Sequence, residues 1–143
     1  METRYTAENW PSERWPNFSF KEMACQHSGI CNISDDLMDK LQELRIAVGF
    51  GLIVSSGYRD VTHPIEAAKV ASGKAPKGGA HASGKACDLA VDREKAYIVL
   101  REAMRIGFTG IGVAQSGDGR FLHLDCIEEE DGFHVPRPTL WSY

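Results

Sequence analysis

Two short segments of this chain alternate their side chains so strictly that each reads as a strand with one apolar and one polar face. In Phe121-Leu122-His123-Leu124-Asp125-Cys126, the residues Phe121, His123 and Asp125 share one side while Leu122 and Leu124 take the other. In Ala86 to Val91, Asp88 shares its side with Ala86 and Ala90, and Leu89 and Val91 turn toward a core. Small neighbours leave the space around that carboxylate open. A chain holding both segments has to build a sheet with one buried face and one face free for chemistry.

The second face carries a donor set. His81 and Asp88 are separated by Ala82-Ser83-Gly84-Lys85-Ala86-Cys87, a small-residue turn with no helical spacing, so a nitrogen and an oxygen donor can fold back on one another. With His123 they make two imidazoles and a carboxylate, enough for a catalytic zinc ion, which takes three protein ligands and leaves a fourth position open. The same set serves iron. Asp125 lies two residues beyond His123, about 7 Å along a strand, so it can either act as a general base beside the metal or orient His123 or Arg59. Asp118, on the turn Ser116-Gly117-Asp118-Gly119, is the second candidate base.

Around these strands the pattern predicts helices. Phe18-Ser19-Phe20-Lys21-Glu22-Met23 has a capping serine, a glutamate that reaches back and a Phe18–Met23 staple. From Ser34 to Val48 the residues Leu37, Leu41, Leu44 and Val48 form one stripe, closed by Gly49. Leu52-Ile53-Val54 suits a short buried strand delivering the loop Ser55-Ser56-Gly57-Tyr58-Arg59. Pro64 opens a helix through Val70, and the glycine-rich stretch from Ser72 to Gly79 reads as a mobile loop. Asp92 caps a helix whose stripe is Ala96, Leu100, Ala103 and Met104, ended by Gly107. Strands follow at Gly110 to Val113 and Phe121 to Cys126. The expected class is α+β, one domain with a mainly antiparallel sheet flanked by helices.

Composition narrows the function classes. A 143-residue chain with 43% apolar residues can bury one core, and a formal charge of −4 without a basic cluster gives no footprint for nucleic acid. No apolar run reaches the roughly 18 residues of a membrane span, and Met1 to Trp10 lacks the features of a secretory signal, so synthesis and first residence in the cytoplasm are expected. Cys25, Cys31, Cys87 and Cys126 do not form a disulfide framework; Cys25 and Cys31 would pair only under oxidising conditions, and Cys87 and Cys126 read as core thiols.

The succession of Ser56-Gly57-Tyr58-Arg59, His81 with Asp88, and His123-Leu124-Asp125 resembles the zinc D-alanyl-D-alanine carboxypeptidases and related phage endolysin peptidases, which share a fold with the hedgehog signalling domain. The family pattern S-x-H-x-x-G-x-A-x-D falls on Gly79 to Asp88, with Gly79 in place of the serine. The likeness runs from about Phe18 to Tyr143, leaving residues 1–17 as an N-terminal extension of an 18–143 zinc peptidase domain. It implies one zinc ion on His81, Asp88 and His123, with Arg59 binding a substrate carbonyl or carboxylate beside Tyr58 and Ser56. It further implies a peptidoglycan peptide as substrate, reached after release from the cell; the chain is expected to be a monomer, and its charge and hydropathy leave neither nucleic acid nor membrane as partner. Relatives commonly carry an acidic residue three positions before the last histidine, where this chain has Arg120. A zinc-stabilised module without catalysis, or a part of a virion, is the competing expectation.

Cys25, His27 and Cys31 read as a loop without a fourth metal ligand, His63 as a residue of the cleft, Glu128 to Asp131 as a solvated acidic loop, and Trp141 and Tyr143 as packing that ties down the C-terminus. His134 lies in the proline-rich tail with no partner in view.

Overall fold

The computed structural model describes residues 2–133 and 135–143; His134 lies outside the described residues. The chain opens with β1 (Glu2–Tyr5), α1 (Phe20–Met23), β2 (Cys31–Ser34) and α2 (Asp35–Val48). It continues through β3 (Ile53–Ser56), α3 (Pro64–Ala71), a 3-10 turn at Ala80–Ser83, β4 (Ala86–Ala90) and α4 (Arg93–Ile106), then β5 (Gly110–Ala114), β6 (Phe121–Asp125), a 3-10 turn at Glu129–Asp131 and β7 (Thr139–Ser142). Among the described residues no helix is long and apolar enough to cross a membrane.

Local signals set the element ends. Ser19 and Glu22 close a capping box on α1, and Ser34 accepts from the Leu37 N–H to start α2, which Gly49 ends in the left-handed conformation at φ 75°. Asp92 stands at the N-cap of α4 without a side-chain cap, because its carboxylate is taken by the Arg93 guanidinium at 2.7 Å.

A five-stranded sheet in the order β3-β4-β6-β5-β7 carries the fold, and β1 and β2 form a separate antiparallel pair. The β3–β4, β4–β6 and β6–β5 pairings are antiparallel, whereas β7 joins β5 in parallel. The class is therefore α+β, as expected, with one parallel edge that alternation alone does not reveal. The central pair matters most: Asp88 is the register partner of His123, and His123 that of Gly112. Leu89, Leu122 and Leu124 face the opposite way into a core shared with Leu37, Leu41 and Leu44 of α2. The alternation pattern thus delivers the two-faced sheet.

Several expectations are corrected. The 52–54 strand is no buried strand: β3 is an edge, with Ile53 67% exposed, because only β4 pairs with it. Met104 is exposed, and the buried stripe of α4 is Ala96, Val99 and Ala103. The acidic 128–131 run is partly structural, since Lys85 grips both Asp131 carboxylate oxygens at 2.9 and 2.8 Å. All four cysteines are buried free thiols, and burial pushes those of Cys31 and Cys126 up to about 12.

Three aromatic side chains of the segment before α1, Tyr5, Trp10 and Trp15, join the core. Tyr5, Trp10 and Trp15 meet edge-on or tilted with ring centres 5.2 to 5.5 Å apart, and Trp15 is fully buried. Indole N–H groups fix the segment, Trp10 Nε1 to the Phe18 carbonyl and Trp15 Nε1 to Asp39 Oδ1, each at 2.9 Å.

Candidate metal centre

His81 comes from the 3-10 turn between α3 and β4, and Gly84, left-handed at φ 76°, turns the chain into β4 so that Asp88 lies below the imidazole. His123 stands beside Asp88 on β6. One ligand atom from each of His81, Asp88 and His123 lies within 4.8 Å of the others, and all three residues are buried.

The hydrogen bonds on the far side of each ring decide which nitrogen faces inward. His81 Nδ1 is 2.8 Å from the Gly57 carbonyl, which only accepts, so Nδ1 carries the proton and Nε2 presents a lone pair. His123 Nε2 is 2.7 Å from Asp125 Oδ2, which places the proton there and leaves Nδ1 as the inward atom. His81 Nε2 and His123 Nδ1 then lie 3.2 and 3.1 Å from the same Asp88 oxygen, Oδ1. Three lone-pair donors at such distances need a cation or a proton among them. This donor set, with its rings tied from behind, fits a zinc ion.

The charges agree with that geometry. Burial opposes ionisation of Asp88, but the bonds with His123 and His81 prevail and hold its carboxyl well below the usual carboxylate range. Burial likewise disfavours the His123 imidazolium, yet Asp125 and Asp88 outweigh it and raise its pKa above the ordinary histidine value. The site is built to collect positive charge.

A cavity of about 270 Å³ includes the cluster in its lining, together with Arg59, Lys69, Phe121, Trp141 and Tyr143. Arg59 reaches it because the Gly57 position lies against the backbone of Met23, where a Cβ would stand 2.6 Å from the carbonyl oxygen; the loop can run this close only with glycine. Arg59 Nη1 is 3.4 Å from Glu66 Oε2 and Nη2 is 3.9 Å from Asp88 Oδ2. Glu66, fully buried on α3, also takes Lys69 at 3.3 Å and the Gly79 N–H at 2.6 Å. One carboxylate thus ties α3, the end of the glycine-rich loop and Arg59 together.

The family model described as Peptidase M15 matches residues 16–125, more than half of the chain and all three donor residues. The chain belongs to the Peptidase M15 family. No curated protein and no solved structure matches it. M15 members are zinc-dependent metallopeptidases, and in this one His81, Asp88 and His123 are the residues that can hold the ion.

Other residues singled out in the sequence fall differently in this M15 peptidase. Asp125 does not line the cavity: it is fully buried, bound by His123, by the Arg137 guanidinium and by the Ile127 N–H. Asp118 lines a separate cavity of about 450 Å³ with Asp92, Arg93 and Arg120, which contains none of the three donors. Tyr58 is buried, its hydroxyl 3.5 Å from Asn32 Nδ2, and its backbone N–H is bound to the Met23 carbonyl. Ser56 pairs with Asp88 across a β-bulge. His63 caps α3 by accepting the Ile65 N–H and is not among the cavity residues. Glu66, Arg137 and Trp141 were not legible as site residues; Gly110 and Gly112, alternating on β5, were the available hint that neighbours cross that face closely.

Proposed function

We propose that this M15 family member is a zinc peptidase that hydrolyses peptide bonds in peptidoglycan stem peptides or cross-links. The observation that carries the reading is the convergence of His81 Nε2, His123 Nδ1 and Asp88 Oδ1 in the lining of a cavity that also includes Arg59. A zinc ion held there supplies Lewis acidity, polarising a carbonyl and making water nucleophilic near neutral pH.

The chain's own residues do the rest. Arg59 presents its guanidinium to the cavity and binds a substrate carbonyl or carboxylate, stabilising the negative charge that develops on the carbonyl oxygen. Glu66 fixes that guanidinium in place. Tyr58 and Ser56 act by anchoring the loop and strand that carry Arg59, through Met23 and Asp88. Asp125 orients His123, in place of the base role that strand spacing also allowed. Phe121, Trp141 and Tyr143 give the lining an apolar surface for a thin peptide. The protein acts as a monomer on the wall after release from the cell, in the manner of a phage lysis enzyme.

A non-catalytic zinc module is the second reading, and one observation favours it. Asp88 is the one carboxylate lining the cavity among the described residues, and Arg120 occupies the position where relatives commonly carry an acid.

Incubation of zinc-loaded protein with purified peptidoglycan, followed by mass spectrometry of the fragments, separates the two. New amine termini with wild type and none with His123→Ala or Arg59→Ala establish the peptidase and name the bond. Stoichiometric zinc binding without cleavage of several wall chemotypes establishes the module.

A further inference from the structure

The three proposed ligands and Asp125 lie within the matched residues 16–125, yet the groups that back Asp125 and His123, Arg137 and Trp141, come from beyond them. Arg137 Nε and Nη2 donate to Asp125 Oδ1 and Oδ2 at 2.8 and 2.7 Å, a two-pronged pair whose side chains are only 6% and 0% exposed. Asp125 Oδ2 then accepts the His123 Nε2 proton at 2.7 Å. From the same C-terminal segment, the Trp141 ring lies 5.1 Å from the His123 ring, and the Arg137 guanidinium sits 5.1 Å over the Trp141 ring.

Strand β5 makes room for this arrangement by having no side chains at two alternate positions. A Cβ at Gly110 would run into the Asp125 carboxylate, and one at Gly112 would stand 2.6 Å from Trp141 Nε1. Two glycines on one face of a strand cost stability unless something lies against them. Here that is the pair of side chains backing His123.

We infer that Arg137 is a positioning residue of the metal centre, acting through Asp125 to hold His123 with Nδ1 facing the other two ligands. The physical chain is short. A guanidinium fork fixes the plane of a carboxylate and supplies the countercharge that a fully buried anion needs. The fixed carboxylate fixes the imidazole proton on Nε2, and that leaves the Nδ1 lone pair free for a metal. Without Arg137, Asp125 must rotate, take up a proton or draw in water, and His123 loses its reason to keep that tautomer. The inference rests on the metal-binding part of the proposed function and on nothing about the substrate.

The test is the zinc dissociation constant of the full chain, measured by competition with a chromophoric chelator, alongside the unfolding midpoint of the metal-free protein. Arg137→Ala and Asp125→Asn are each expected to weaken zinc binding roughly 10- to 100-fold. Arg137→Lys, which keeps the charge and loses the fork, recovers part of that loss. If Arg137 acts through Asp125, adding Arg137→Ala to Asp125→Asn costs less than about a further threefold. A purely structural role would lower the midpoint and leave affinity and coupling unmoved. Folded Arg137→Ala protein that binds zinc within about twofold of wild type overturns the inference while leaving the metal centre standing, and so do strictly multiplicative losses in the double variant. Wild type that binds no zinc overturns the metal centre and the inference with it.

Discussion

Gly110 and Asp125 are register partners across β5 and β6, and the Asp125 carboxylate occupies the space where a side chain on residue 110 would begin. Gly110→Ala therefore cannot be absorbed by a rotamer change at the new residue. It has to displace the carboxylate from Arg137 and His123 or push the strands apart. The expected cost is about 1 to 3 kcal/mol of stability, together with weaker zinc binding. Chemical denaturation of the metal-free variant and chelator competition of the loaded one measure the two effects separately; wild-type values in both would mean that the sheet relaxes around the methyl group.

Zinc should stabilise the folded chain, because His81, Asp88 and His123 converge only in the native structure. A ligand present at a hundred times its dissociation constant adds about 2.7 kcal/mol. Chelator treatment is expected to lower the unfolding midpoint of wild type, and His81→Ala or Asp88→Asn to abolish the zinc-dependent part. Each should lose more affinity than the roughly 10- to 100-fold expected for an outer contact. Scanning calorimetry with zinc and with chelator decides it.

The donor residues were legible because strand alternation is local: Asp88 and His123 each stand among residues whose faces the period of two assigns. Helix α2 was legible for the same kind of reason, a stripe at helical spacing with a serine before it and a glycine after it. What escaped depends on contacts between distant segments. Arg137 sits between two prolines with no acid near it in sequence, and its partner is reached only because β7 pairs in parallel with β5. Glu66 looks like a surface residue of an eight-residue helix and is fully buried because Arg59, Lys69 and Gly79 close over it. Met104 fits the stripe of α4 as well as Val99 does, and only the direction from which the sheet approaches tells them apart.

Glu66 gives a pH dependence with a definite sign. Burial opposes its charge, but the Gly79 N–H and Lys69, with Arg59, prevail and hold its carboxyl below the ordinary value of 4.5. A depressed folded pKa contributes stability that is complete above 4.5 and is lost as pH falls through the lower folded value. Glu66→Gln removes that contribution, so the variant should be less stable than wild type by about 1 to 3 kcal/mol at pH 7. The gap should narrow below pH 4.5. Urea midpoints for both proteins from pH 7 to pH 3 test this, and a gap that widens toward acid would mean that Glu66 is held neutral.

Trp15 tests where the domain begins. The family match starts at residue 16 and the sequence resemblance near Phe18, yet Trp15 is fully buried among Tyr5 and Trp10 and donates to Asp39 at 2.9 Å. Asp39 in turn accepts from Arg14 Nε and Nη2 at 3.0 and 2.7 Å, so the segment is joined to α2 by packing and by charge. Removing a buried tryptophan costs about 3 to 5 kcal/mol. That is a large share of the roughly 5 to 15 kcal/mol by which domains are stable. Trp15→Ala should therefore unfold at distinctly lower urea, and a chain shortened to begin at Phe18, which loses all three rings, should not fold cooperatively even with zinc present. A shortened chain with a sharp transition and wild-type zinc affinity would mark residues 1–17 as an extension of a domain complete without them.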